Sequence, residues 1–180
     1  MSERPTLKTE RLILRPFTLA DAPDVQRLAG DRAIAETTLN IPHPYPAGGA
    51  EEWISTHQHA FDLGKGVHFA ITRKADGGLV GAVSLMGMVR GHLAELGYWI
   101  GKPHWNQGFC TEAARAVVRY GFEELGLVRI HASFFKTNPA SGRVMRKLGM
   151  RPEGCLRRHI KKWGRLDDLE LYAVLKDEWE

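Results

Sequence analysis

Apolar and polar residues alternate from Leu7 to Arg15, with Leu12 and Leu14 on one parity and Arg11, Ile13 and Arg15 on the other. That pattern predicts a strand, ended by Pro16. Thr18 followed three residues later by Asp21 has the form of a capping box, and Ala22, Val25, Leu28 and Ala29 then recur at helical spacing. Three prolines and two glycines between Asn40 and Gly49 predict a loop. It leads into a second helix through Trp53, His57, Ala60 and Phe61, closed by Gly64 and Gly66.

Val67 to Arg73, Leu79 to Met88 and Leu93 to Gly101 are apolar or alternating runs separated by Asp76-Gly-Gly and Arg90-Gly-His. They predict three strands in antiparallel succession. After Thr111, which suits a helix cap, Ala113, Val117 and Tyr120 share a helical face that Gly126 terminates. Val128 to Phe135 reads as a buried strand. Asn138-Pro139 then starts a helix with Val144 and Leu148 as its ridge and Gly149 as its stop. Gly154 to Trp163 and Asp168 to Leu175 predict a final hairpin. Helices interleaved with strands, without repeats, give one mixed α/β domain over residues 1–180.

A length of 180 residues with 43% hydrophobic content suits a single core. The net charge of +4 favours an anionic partner, but 21 acidic residues dilute it and argue against nucleic acid. A phosphate-rich small molecule accounts for the charge equally well. Cys110 and Cys155 are too few for a zinc motif, and the histidines show no ligand spacing, so no metal is expected. No run of about 18 apolar residues and no leader pattern appears, which predicts a cytoplasmic protein with no membrane partner.

The stretch from Leu96 to Ala113 is a strand that ends in a short polar loop and runs into a helix. Amides at a helix N-terminus lack intrahelical partners and attract phosphate, and Gly108 permits close approach of the backbone. The glycine patterns of nucleoside-triphosphate and dinucleotide loops are absent. On these grounds alone the stretch remains an ordinary strand, loop and helix.

Several blocks in order make the chain recognisable: Thr9-Glu-Arg-Leu-Ile-Leu-Arg, His43-Pro-Tyr, Gly97-Tyr-Trp-Ile, Trp105-Asn-Gln-Gly-Phe-Cys-Thr-Glu-Ala, Asn138-Pro-Ala-Ser, Lys147-Leu-Gly-Met, Glu153-Gly and Gly164-Arg-Leu-Asp-Asp. Together they resemble the GNAT superfamily of N-acetyltransferases, in its RimJ/RimL branch of ribosomal-protein N-terminal acetyltransferases. The resemblance implies a mixed, mostly antiparallel sheet of about seven strands, helices on both faces, and a splayed parallel pair that receives pantetheine as a pseudo-strand. It implies transfer of acetyl from acetyl-CoA to a primary amine, with no covalent enzyme intermediate and no metal.

By the same resemblance, Trp99, Ile100 and Gly101 line the coenzyme, and the amides of Gln107, Gly108, Phe109, Cys110 and Thr111 hold its diphosphate. Trp105, Gly108 and Cys110 fall on the three defined positions of the family's phosphate loop, and Trp105 departs from the usual Gln or Arg. Asn138 meets the pantetheine arm, Ser141 lies near the sulfur, and Lys147, with Arg143 and Arg146, faces the 3′-phosphate. Cys110 reads first as a small packed residue; the sharper alternative is a thiol activated by the helix N-terminus that forms a mixed disulfide with coenzyme A.

Attack of a neutral amine on a thioester needs a base, a polarised carbonyl and a proton donor for the thiolate. Glu95 is the expected base, with His159 and Asp168 as alternatives, and Ser141 the expected acid, with an N–H from Trp99 to Gly101 polarising the carbonyl. The acceptor groove is expected to be lined by the Asn40 to Gly49 loop, the second helix and the final hairpin. A protein N-terminal α-amine is the leading acceptor, with small amines and antibiotics as the alternative. A non-catalytic module that binds coenzyme A or RNA through Arg157 to Arg165 is the reading from a different class. A homodimer is left open.

Overall fold

The structure, a computed structural model, describes residues 3–179. Its strands are β1 (Leu7–Lys8), β2 (Leu12–Pro16), β3 (Val67–Arg73), β4 (Leu79–Val89), β5 (Leu93–Ile100), β6 (Arg129–Phe135), β7 (Arg151–Lys162) and β8 (Arg165–Leu175). The helices are α1 (Ala22–Ala29), α2 (Arg32–Thr37), α3 (Gly49–Asp62), α4 (Phe109–Glu123) and α5 (Pro139–Lys147). One eight-stranded sheet runs in the order β1-β2-β3-β4-β5-β6-β8-β7.

The expected count of about seven strands becomes eight because the run from Leu7 to Arg15 is broken. The Thr9 N–H bonds back to the Leu12 carbonyl at 3.0 Å, and β1 folds against β2. The polar residues of the break are claimed from elsewhere, since the Thr9 hydroxyl and the Arg11 N–H both donate to Glu112 of α4. Helix α2 lies outside every expected element. Its Asp31 cap bonds the Ala33 N–H at 2.8 Å, and Ile34 and Ala35 supply its buried side.

Among the described residues β5 and β6 pair in parallel and every other pairing is antiparallel. A parallel pair needs a crossover, here α4. Its register runs only from Leu93↔Arg129 to Glu95↔His131, while β5 continues to Ile100 and β6 to Phe135. Beyond Glu95 the two strands diverge, and the sheet carries an opening at its centre.

Strand alternation sorts the core onto two faces. Leu96, Ile100, Val83, Leu85 and Ile130 pack with Ala113, Val117, Val118 and Phe122 of α4 and Met145 of α5. On the other face Ala70 and Ala82 meet Val25 and Leu28 of α1 and Ile54 of α3, with Trp53 and Trp99 against them. Each such buried Leu, Val, Ile or Phe stabilises by about 1.5–3 kcal/mol.

The helix starts follow local chemistry with two corrections. The capping box of Thr18 and Asp21 is present, and Arg15 donates to both Asp21 oxygens at 2.7 and 2.8 Å. Gly108, at φ +80°, takes the cap position of α4, and Thr111 lies inside the first turn. Asn138 occupies the α5 cap position, yet its side chain makes no cap bond and reaches the Thr37 carbonyl instead. The β7–β8 hairpin is longer than expected and turns on Trp163 and Gly164, both left-handed at φ +49° and +77°. Among the described residues no helix is long and apolar enough to cross a membrane.

Candidate active site

The opening between β5 and β6 leads into a cavity of about 1010 Å³ that is lined from both faces of the sheet. Glu95 lines it from the α1 and α3 face; Tyr98 and Ser141 line it from the α4 and α5 face. The Gly101 N–H bonds to the Val80 carbonyl at 2.8 Å, so that predicted contact is spent inside the sheet. Alternation of an antiparallel ladder then directs the main-chain groups of Tyr98 and Ile100 towards the opening. The Ile100 carbonyl accepts the Trp105 indole N–H at 2.6 Å.

On the α4 and α5 face the Tyr98 hydroxyl donates to the Ser141 carbonyl at 3.2 Å and lies 2.9 Å from Ser141 Oγ. Burial pushes the Tyr98 hydroxyl far above its ordinary range and the Cys110 thiol up to about 12. The shift at Cys110 is opposite to the activation expected of a helix N-terminus. Its sulfur is packed against the core, so desolvation outweighs the dipole. Both groups are protonated at neutral pH.

The loop before α4 contains two left-handed residues, Asn106 at φ +59° and Gly108 at φ +80°. The first bond of α4 runs from the Glu112 N–H to the Gly108 carbonyl, which leaves the amides of Phe109, Cys110 and Thr111 without helical partners. Trp105, Asn106, Gly108, Cys110 and Thr111 line the cavity. Phe109, largely buried, lines it as well, whereas the Gln107 side chain turns away to the Pro103 carbonyl. Arg143 and Lys147 reach the cavity from α5, as does Asn138 at its start.

On the opposite face Glu95 is half-buried, opposite Met86 of β4 and His131 of β6. His68 and Ser84 lie on the same face, with His68 Nδ1 and Ser84 Oγ 2.8 Å apart. Burial pushes His68 down to about 4 and His57, stacked on it at 4.2 Å, down to about 3. Both imidazoles are neutral at physiological pH. The expected walls are present in part: the loop supplies Ile41 and Tyr45, α3 supplies Glu52 and Trp53, and the hairpin supplies Leu169. The end of α2 adds Thr38, held from the hairpin by Lys162, whose ammonium donates to the carbonyls of Ala35, Thr38, Leu39 and Ile41.

Of the three carboxylate and histidine candidates for the base, only Glu95 lines the cavity. His159 is exposed on β7, and Asp168 accepts the Arg158 N–H at 2.8 Å and faces Lys136 at 3.7 Å. Tyr98 was missing from the sequence-based site. The clue to it was its parity with Leu96 and Ile100, which buries a hydroxyl that must then find a partner. Among the described residues no group of three or more His, Cys, Asp or Glu side chains could hold a metal ion.

Residues 11–151 match the acetyltransferase (GNAT) domain. The chain belongs to the GNAT acetyltransferase family. This GNAT chain is 34% identical to the Bacillus subtilis protein named Probable N-acetyltransferase YjcK, over 97% of its own length and 99% of the relative's. It is 27% identical to the [Ribosomal protein uS5]-alanine N-acetyltransferase of Escherichia coli, over 96% and 92%. RimL, the ribosomal L7/L12 alpha-N-protein acetyltransferase solved in complex with coenzyme A, shares the fold at a TM-score of 0.87, with 16% identity over 95% of this chain and 98% of that one. The GNAT chain is an acetyl-CoA-dependent N-acetyltransferase.

Proposed function

We propose that this GNAT acetyltransferase acetylates the α-amine of a polypeptide N-terminus in the cytoplasm, by direct attack within a ternary complex. The observation that carries the reading is the central opening, which joins Glu95 on one face of the sheet to Tyr98 and Ser141 on the other. Acceptor and coenzyme thus approach from opposite sides and meet where the sheet is parted. Glu95 takes a proton from the incoming ammonium, directly or through water. The outward-facing N–H of Tyr98 polarises the thioester carbonyl, and the hydroxyl of Ser141, oriented by Tyr98, protonates the leaving thiolate.

The acceptor half suits an ammonium group. Its wall carries the carboxylates of Glu52 and Glu95, whereas Arg143 and Lys147 come from α5 on the coenzyme side. His57 and His68 add no positive charge. The similarity to a uS5-alanine N-acetyltransferase supports a protein terminus over a small amine.

Amine-dependent thiol release from acetyl-CoA tests the reading. Peptides with a free N-terminus should turn over, and the same peptides with a blocked terminus and a free lysine should not. Turnover confined to lysine side chains or small amines would overturn the N-terminal assignment. Glu95→Gln should lower kcat by roughly a hundredfold, the usual scale of a general base.

A further inference from the structure

The hydrogen bonds around the loop before α4 converge on a side chain from the other end of the sequence. Arg11 Nε and Nη2 each reach Glu112 Oε2 at 2.7 Å, and Arg11 Nη1 donates to the Gln107 carbonyl at 2.9 Å. Its guanidinium lies 4.7 Å from the centre of the Phe109 ring. Glu112 Oε1 accepts the Thr9 hydroxyl at 2.6 Å and the Arg11 N–H at 2.8 Å. Burial alone would raise the Glu112 carboxyl, but these bonds outweigh it and hold the group below its ordinary range, ionised.

Gln107 lies between the two left-handed residues Asn106 and Gly108. Such backbone persists only where the surroundings determine it, and the Gln107 carbonyl is the atom that Arg11 grips. A trans peptide is planar with its C=O and N–H opposed, so a Gln107 carbonyl held towards Arg11 aims the Gly108 N–H the other way. That way lies the cavity, which Gly108 lines and Gln107 does not. The charge balance points to the same function. Glu112 places a carboxylate in the first turn of α4, where it would repel a phosphate, and Arg11 neutralises it. Trp105, at the position where the family usually carries Gln or Arg, spends its indole on Ile100.

We propose that Arg11 is the positioning residue of the coenzyme's phosphate loop: it fixes the Gln107–Gly108 peptide plane and cancels the Glu112 charge, so that the loop amides face a diphosphate. The proposal rests on the loop being the diphosphate cradle, and the experiment separates the two. Wild type, Arg11→Ala and Arg11→Lys are titrated calorimetrically with acetyl-CoA and with S-acetylpantetheine. Each is then assayed with acetyl-CoA and with S-acetylpantetheine, which lacks the diphosphate.

Arg11→Ala should weaken acetyl-CoA binding about tenfold and raise its KM to match, with kcat within about twofold and no change for S-acetylpantetheine. Arg11→Lys should behave like the alanine variant, because one ammonium cannot hold the carboxylate and the carbonyl together as the guanidinium fork does. Restored binding in Arg11→Lys overturns positioning in favour of bare charge. Equal losses with both thioesters overturn it in favour of a general role in folding, and so does wild-type acetyl-CoA binding by Arg11→Ala. Wild-type binding of S-acetylpantetheine as tight as that of acetyl-CoA sinks the cradle itself, whatever the Arg11 variants do.

Discussion

Tyr98→Phe removes one oxygen from the wall of the cavity and leaves the ring in place. The lost groups are a donor to the Ser141 carbonyl at 3.2 Å and a partner 2.9 Å from Ser141 Oγ. A neutral buried hydrogen bond contributes about 0.5–1.5 kcal/mol net, so Tm should fall by about 2–4 °C. The kinetic effect is separate. Without the phenol, Ser141 Oγ loses the partner that orients it, and about 1.4 kcal/mol of transition-state stabilisation corresponds to a tenfold lower kcat with KM unchanged. Ser141→Ala should cost about a hundredfold, and the double variant no more than Ser141→Ala alone, because Tyr98 acts through Ser141. Since burial raises the Tyr98 pKa, the phenol stays protonated above the pH where tyrosine usually ionises, and its ionisation puts no alkaline limb on the rate below about pH 10. The assay is thiol release at saturating acetyl-CoA and acceptor from pH 6 to 10. Wild-type kcat in Tyr98→Phe, with Tm lowered as expected, refutes the hydroxyl pair. A loss exceeding that of Ser141→Ala makes the phenol the proton donor.

Asp21→Ala should destabilise by about 2 kcal/mol at pH 7, since it removes the Thr18 capping box and the partner of Arg15. Burial raises the Asp21 carboxyl, but bonds from Arg15 and Thr18 outweigh it and lower it overall, so its contribution is present above the unfolded carboxylate range and lost as pH falls below about 4. The gap in urea midpoint between wild type and variant should therefore shrink at pH 3; an equal gap at both pH values contradicts the linkage. Lys162→Met should strip the donor from the carbonyls of Ala35, Thr38, Leu39 and Ile41. The acceptor KM should rise about fivefold while acetyl-CoA affinity holds, and proteolysis near Leu39 should quicken. A changed acetyl-CoA affinity with unchanged acceptor KM would contradict that assignment.

The elements whose signals are local were readable from the residues. The capping pattern of Thr18 and Asp21, the alternation in β3 to β5 and the glycine after Leu148 each specify their structure within a few positions. What was hidden depends on partners far along the chain. Helix α2 spans six residues, too short for a periodic stripe, and its last carbonyls are held by Lys162. The break after Lys8 exists because Glu112, about a hundred residues on, binds Thr9 and Arg11. Tyr98 acquires its role only because α5, more than forty residues on, brings Ser141 to it. Cys110 is the small packed residue that its place at a helix start suggested; the alternative of an activated thiol fails because the desolvation of that thiol is not visible in sequence.

The parting of β5 from β6 has a consequence for how the enzyme can change. Helices α1 and α3 cover one side of the sheet and α4 and α5 the other, and the two sets of buried side chains form separate clusters. Substitutions at Leu39, Ile41, Trp53 or Thr56 would reshape the wall of the cavity that the proposed mechanism gives to the acceptor and leave the loop before α4 unchanged in sequence. Selection for a new amine can therefore proceed on one side of the sheet while the machinery for acetyl-CoA is inherited intact on the other.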